Sequence, residues 1–190
     1  TAQLINVSDG YHLWSERYDR EMTDVFAIQD EIAHAIADRL TVTLAAGKSK
    51  TAPAKPTDNI EAYELYLKGK AIEHRRGPGL RTAVELYEQA IALDPDFGAA
   101  HGALAHALVL TGFYGIYSTE QVGARAVVAA RIGLEKAPGN GPAHAASAMV
   151  ALMLEYDREK AEREWNRAME LSPSDSSIRI EYAFYMLCGV

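Results

Sequence analysis

The chain has one cysteine, Cys188, in 190 residues. A single thiol excludes an internal disulfide and a cysteine-built zinc site, and it suits a reducing compartment, so the expected location is the cytoplasm. Positive charge is scarce as well: 19 lysines and arginines stand against 26 aspartates and glutamates, a formal charge of −7. That balance excludes the basic stripe from which nucleic-acid surfaces are built. No apolar run approaches the roughly 20 residues of a membrane-spanning helix. No signal peptide is visible in this stretch, which begins at Thr1 without methionine, and the expectation is a piece of a longer protein. Catalytic signatures are missing too. There is no Gly-x-Ser-x-Gly, no His-Glu-x-x-His, and no phosphate-loop lysine after Gly77-Pro78-Gly79. The expectation is a chain that is not an enzyme, with no catalytic residue, no cofactor and no bound metal.

What is present is a spacing. Ala83-x3-Tyr87-x2-Ala90-x4-Pro95 is followed by Ala126-x3-Ala130-x2-Gly133-x4-Pro138 and by Ala161-x3-Trp165-x2-Ala168-x4-Pro173. Small residues seven apart share one stripe of a helix, because seven residues make about two turns. A larger side chain between them makes the stripe small, large, small, which lets a neighbouring backbone come close. The proline has no amide proton and stops the helix. The prolines lie 43 and 35 residues apart. This resembles the second helix of the tetratricopeptide repeat, whose period is about 34 residues. The resemblance implies an all-α helical-repeat solenoid of three helix pairs, about 60–95, 96–138 and 139–173, and a half-repeat at 176–188. Where the family's first helix carries a tryptophan, this chain has Leu65, His101, His144 and Arg179. An insertion between the second unit's helices is expected at Phe113-Tyr114-Gly115-Ile116-Tyr117-Ser118-Thr119.

The first 45 residues do not follow the repeat. Gln3–Val7 reads as a strand, Ser8-Asp9-Gly10 as a turn, and Tyr11–Tyr18 as the return strand. A helix is expected from Thr23 or Asp24 to about Leu44, with Ile28, Ile32, Ala35, Ile36 and Leu40 on one face. Residues 46–58 contain no large apolar side chain and read as a linker. The run Thr1–Arg20 and the run Asp24–Ile32 resemble the end of a TolB-like α/β domain, the kind that precedes tetratricopeptide repeats in bacterial multidomain regulators. A β-hairpin and helix remnant is therefore expected over 1–45, with the repeats over 59–190. In such regulators the effector varies: a class III adenylate or guanylate cyclase, a serine/threonine kinase, or a winged-helix DNA-binding domain.

The histidines offer little chemistry by spacing alone. His101 and His144 fall at equivalent helix positions and read as packing residues. His106, five residues after His101, lies on another face. His34 with Asp30 and Asp38 reads as solvated pairing. His74-Arg75-Arg76 suits the end of a helix. The resemblance places the inner surface on the first helices: Tyr63, Tyr66, Leu67 and Lys70, then Gly102, Ala103, His106 and Val109, then Ala145, Met149 and Leu152, then Ile180 and Phe184. The lysine- and arginine-rich carboxylate clamp of chaperone-binding relatives is absent, with Lys70 the one basic residue at its positions. The face reads as apolar, suited to an amphipathic helix or apolar segment of a protein partner. The alternative reading is that the chain's own elements or a second copy close it. The expected role is a protein-interaction and regulatory module, with nucleic acid and membrane excluded as partners of this segment. The alternatives are the non-catalytic part of a cyclase or kinase, and the sensing part of a winged-helix regulator.

Overall fold

In a computed structural model, the described residues are 2–5, 12–16, 32, 56–73 and 77–187. The expected helix over 23–44, apart from residue 32, the turn at 8–10, His34 and His74–Arg76 lie outside them. The chain divides into two compact units, Thr1–Lys55 and Pro56–Val190.

In the first unit, β1 (Ala2–Ile5) pairs antiparallel with β2 (His12–Glu16). Leu4 is opposite Trp14 and Ile5 is opposite His12, so the register breaks between Leu4 and Ile5. An extra residue of this kind, a bulge, raises local twist.

The second unit is helical. Its elements are α1 (Ile60–Glu73), α2 (Gly79–Leu93), α3 (Gly98–Phe113), α4 (Thr119–Lys136), α5 (Gly141–Met153), α6 (Arg158–Leu171) and α7 (Ser176–Glu181). The last passes into a π-helical turn, Tyr182–Leu187. Five helices start on a side-chain cap. Asn59 accepts from the Ala62 amide at 3.0 Å, Asn140 from Ala143 at 2.9 Å, Asp157 from Lys160 at 2.8 Å and Asp175 from Ser177 at 3.0 Å. Ser118 and Gln121 form a reciprocal capping box at the start of α4. Three helices end two residues before a proline: α2 before Pro95, α4 before Pro138 and α6 before Pro173.

The helices pack in pairs, α1 with α2, α3 with α4 and α5 with α6, and α3 and α5 pack on each other. The start of each first helix lies beside the end of its partner. Asn59 donates to the Leu93 carbonyl at 3.1 Å, Gly98 abuts Ala137, and Gly141 abuts Ser172. Each small-large-small stripe is buried throughout: Ala83, Tyr87 and Ala90, then Ala126, Ala130 and Gly133, then Ala161, Trp165 and Ala168. A Cβ on Gly133 would come within 2.9 Å of the Gly102 amide nitrogen, so α3 and α4 nearly touch there. A Cβ on Gly69 would sit 2.5 Å from the Tyr87 ring.

Two readings need correction. The extra residues of the second unit do fall around 113–119, but most of them lengthen the helices: Phe113 ends α3, Ser118 caps α4 and Thr119 opens it. The eight extra residues between Pro95 and Pro138 come mainly from helix length. Helices α3 and α4 have 16 and 18 residues, against 13 and 14 in α5 and α6, and the turn between them is one residue longer. The close glycine contact keeps the longer pair in register. Thr57, which composition assigned to the linker, is buried. Its hydroxyl donates to Asp94 and accepts from the Asn59 amide at 3.0 Å, fastening the start of α1 to the end of α2.

Candidate functional site

Of the four equivalent first-helix positions, Leu65, His101, His144 and Arg179, the last three share one task. His101 Nε2 donates to the Pro95 carbonyl at 3.0 Å, His144 Nε2 to Pro138 at 3.0 Å, and Arg179 Nη1 to Pro173 at 2.6 Å. Each donor lies six residues after its proline. A carbonyl at a helix stop has lost its helical partner, and these side chains supply one. His101 and His144 were expected only to pack; they pack and brace the turn. His144 Nδ1 also meets Glu164 on α6 at 2.7 Å.

The inner face of the unit is formed by α1, α3, α5 and α7. Lys70, Glu73, Gly102, His106, Ala145 and Glu181 are among the residues lining one cavity of about 40 Å3. That is space for water and too little for a docked helix. His106, on α3, is the centre. Its Nδ1 lies 2.5 Å from Glu73 Oε1 on α1, and its Nε2 lies 3.0 Å from Glu181 Oε1 on α7. Tyr87, on α2, donates its hydroxyl to Glu73 Oε2 at 2.6 Å. A chain of four side chains, Tyr87–Glu73–His106–Glu181, thus spans α2, α1, α3 and α7.

The charges follow from the geometry. Burial favours the neutral imidazole, but the carboxylates of Glu181 and Glu73, one on each ring nitrogen, outweigh it and push His106 up to about 10. Burial would likewise raise Glu73. The charge and hydrogen bond of His106, with Lys70 and the Tyr87 hydroxyl, pull it down to about 2. Burial, then the Glu73 charge, pushes the Tyr66 phenol up to about 12. The same two causes raise Tyr87. His106 is an imidazolium donating from both nitrogens to two carboxylates.

The expected groove residues separate into three groups. Tyr66, Lys70, Gly102, Ala103, His106 and Ala145 line the cavity together. Val109 and Met149 are in the core, and Tyr63 and Leu152 are half-buried at its margin. Leu67, Ile180 and Phe184 are exposed. The expectation of an apolar inner face is corrected. Because Gly102, Ala103 and Ala145 are small, the inner helices approach closely: a Cβ on Gly102 would lie 2.9 Å from Ala143. The histidine then reaches both carboxylates, and the middle of the face is ionic. Sequence reasoning did not single out Glu73, and it gave Tyr87 a packing role only. Glu73 lies at the end of α1 and looks like any solvated glutamate; the one available signal was that His106 and Lys70 fall at the same repeat position. Among the described residues, no cluster suits a metal ion and no helix is long and apolar enough to cross a membrane.

A second surface is apolar. Ile91, Leu104, Val128 and Ile132 line an open trough of about 510 Å3 between α2, α3 and α4.

No protein-family model matches the chain. Over 113 residues, 59% of its length, it is 35% identical to a protein of Rhizobium meliloti (strain 1021) named "Putative adenylate cyclase 3". The matched stretch spans 19% of that relative, about a fifth of its length. The fold is a stack of helix pairs consistent with a helical repeat, and the likeness is compatible with a region of a signalling protein.

Proposed function

We propose that the chain is a tetratricopeptide-type interaction and regulatory region of a bacterial multidomain signalling protein, the non-catalytic neighbour of a class III nucleotide cyclase. The observation that carries this reading is the 35% identity over 113 residues with a protein whose name states cyclase activity. It favours a cyclase over the kinase and winged-helix alternatives. The repeated stripe supports the repeat assignment, and the paired strands β1 and β2 support a TolB-like end for the first unit. The role is docking of a partner protein segment or a second protomer by apolar burial, in the cytoplasm. The inner face has no room for a segment in the closed form, so the apolar trough between α2 and α4 is the surface that favours docking.

The test uses the full-length parent and this chain alone, incubated with ATP or GTP and a divalent cation. The chain alone is expected to form no cyclic nucleotide. Val128→Asp in the full-length protein is expected to change its cyclase rate while leaving the fold intact. Turnover by the chain alone, abolished by point substitutions within it, sinks the non-catalytic reading. An unchanged rate in Val128→Asp sinks the regulatory one.

A further inference from the structure

Helix α7 differs from the other first helices. Among the described residues it has no second helix against it, it is only six residues long, and it continues as a π-helical turn. Such turns are rare and frequently occur at functional sites. The segment is held by side chains that join the main core and by two polar contacts. Glu181 meets His106, Arg158 donates to the Met186 carbonyl at 2.6 Å, and Ile178, Tyr185 and Met186 are buried. Trp165 on α6 lies under it, with the Tyr182 ring at 6.1 Å and the Tyr185 ring stacked at 6.4 Å. Ile180 and Phe184 are left 66% and 47% exposed. The segment lies across the inner face, because its glutamate reaches a histidine 75 residues earlier.

We propose that Ser176–Leu187 is a strap that closes the inner face of the helical unit, latched by the Glu181 carboxylate on the His106 imidazolium, and that it opens as a unit while α1 to α6 stay folded. The latch is built to reopen without collapse. When Glu181 leaves, Glu73 still holds His106 from the other side, and Tyr87 still holds Glu73. The charged groups that line the cavity with His106 are Glu73 and Lys70 from α1, Glu181 from α7 and Asp175, the cap of α7; α5 contributes Pro142 and Ala145, which carry no charge. Opening therefore breaks one ionic contact, the Arg158 bond and the burial of Ile178, Tyr185 and Met186, and it uncovers Lys70 and His106. The strap does not depend on the cyclase reading, and either can fail alone.

Trp165 reports on the strap. The chain has two tryptophans, so the experiment is done in a Trp14→Phe background. Tryptophan emission and far-ultraviolet ellipticity are followed through a urea titration. In Glu181→Gln the emission midpoint is expected to fall further than the ellipticity midpoint, with strap opening raised by on the order of tenfold, the scale of one hydrogen bond between charged groups. Glu181→Asp should restore part of the difference. Arg125→Gln, which breaks an exposed pair with Glu88 away from the strap, should not separate the two curves. Equal shifts of both midpoints in Glu181→Gln, or no shift, overturn the proposal. Hydrogen exchange on the unsubstituted chain gives an independent reading. Strap amides should exchange faster than those of α3 and α5, and exchange only through global unfolding also overturns it.

Discussion

His106 is charged and largely out of water, and folding tolerates this only because two carboxylates accompany it. Removing one member of such a buried group leaves the others uncompensated, which typically costs about 3–5 kcal/mol. His106→Leu should lose stability on that scale in urea titrations, since Glu73 would remain buried beside an alkyl chain. Adding Glu73→Gln should recover part of the loss; no recovery would mean that the two do not act as a pair. The pH dependence has a definite sign. The folded pKa of His106, about 10, exceeds the ordinary 6.5, so its contribution is full below 6.5 and is lost as pH rises through 10. The folded pKa of Glu73, about 2, is below the ordinary 4.5, so its contribution is full above 4.5 and is lost as pH falls through 2. The site thus stabilises most between about 4.5 and 6.5, and stability declines on the alkaline side of that window. His106→Gln should flatten the alkaline decline. A decline as steep as in the unsubstituted chain would place its origin elsewhere.

At the scale of the helix, the stripe decides packing. Ala90 and Ala168 have no exposed surface, so a larger side chain has nowhere to go. Ala90→Trp and Ala168→Trp should each lower stability by about 1–3 kcal/mol, the usual cost of overpacking. Unchanged melting midpoints would show that these faces yield. The stripe was legible because it is local: a period of seven, a proline stop and a capping Asn, Asp or Ser all act within one or two turns. The length of α3 and α4 was harder to read. Phe113 to Tyr117 carries aromatic and glycine residues that suit a loop as well as a helix end. The brace from His101, His144 and Arg179 to the three proline carbonyls was half legible. Their equivalence is visible in the spacing, but the acceptor six residues upstream appears only once the turn is folded.

For the whole molecule, a stack of helix pairs has stability that is roughly a sum of neighbour contacts. Ending the chain before Ser174 removes Ile178, Glu181 and Tyr185 from the last pair. Such a chain should melt at lower temperature and show red-shifted Trp165 emission, because that indole loses both of its tyrosine neighbours. Emission identical to the longer chain would mean that Trp165 is covered by something else. Light scattering at micromolar concentration should show association of copies, since Ile180 and Phe184 leave apolar surface in water. A monomer unaltered by Ile180→Ser with Phe184→Ser would count against that surface.

The sequence by itself determined the paired helices, their proline stops and the buried stripe, because each follows from contacts a few residues long. Only the tertiary structure decided that Glu73, His106 and Glu181 meet. They are separated by 33 and 75 residues, and their contact depends on how tightly successive pairs stack. That tightness is set by small residues on α3 and α5, whose effect on distant side chains no local pattern records.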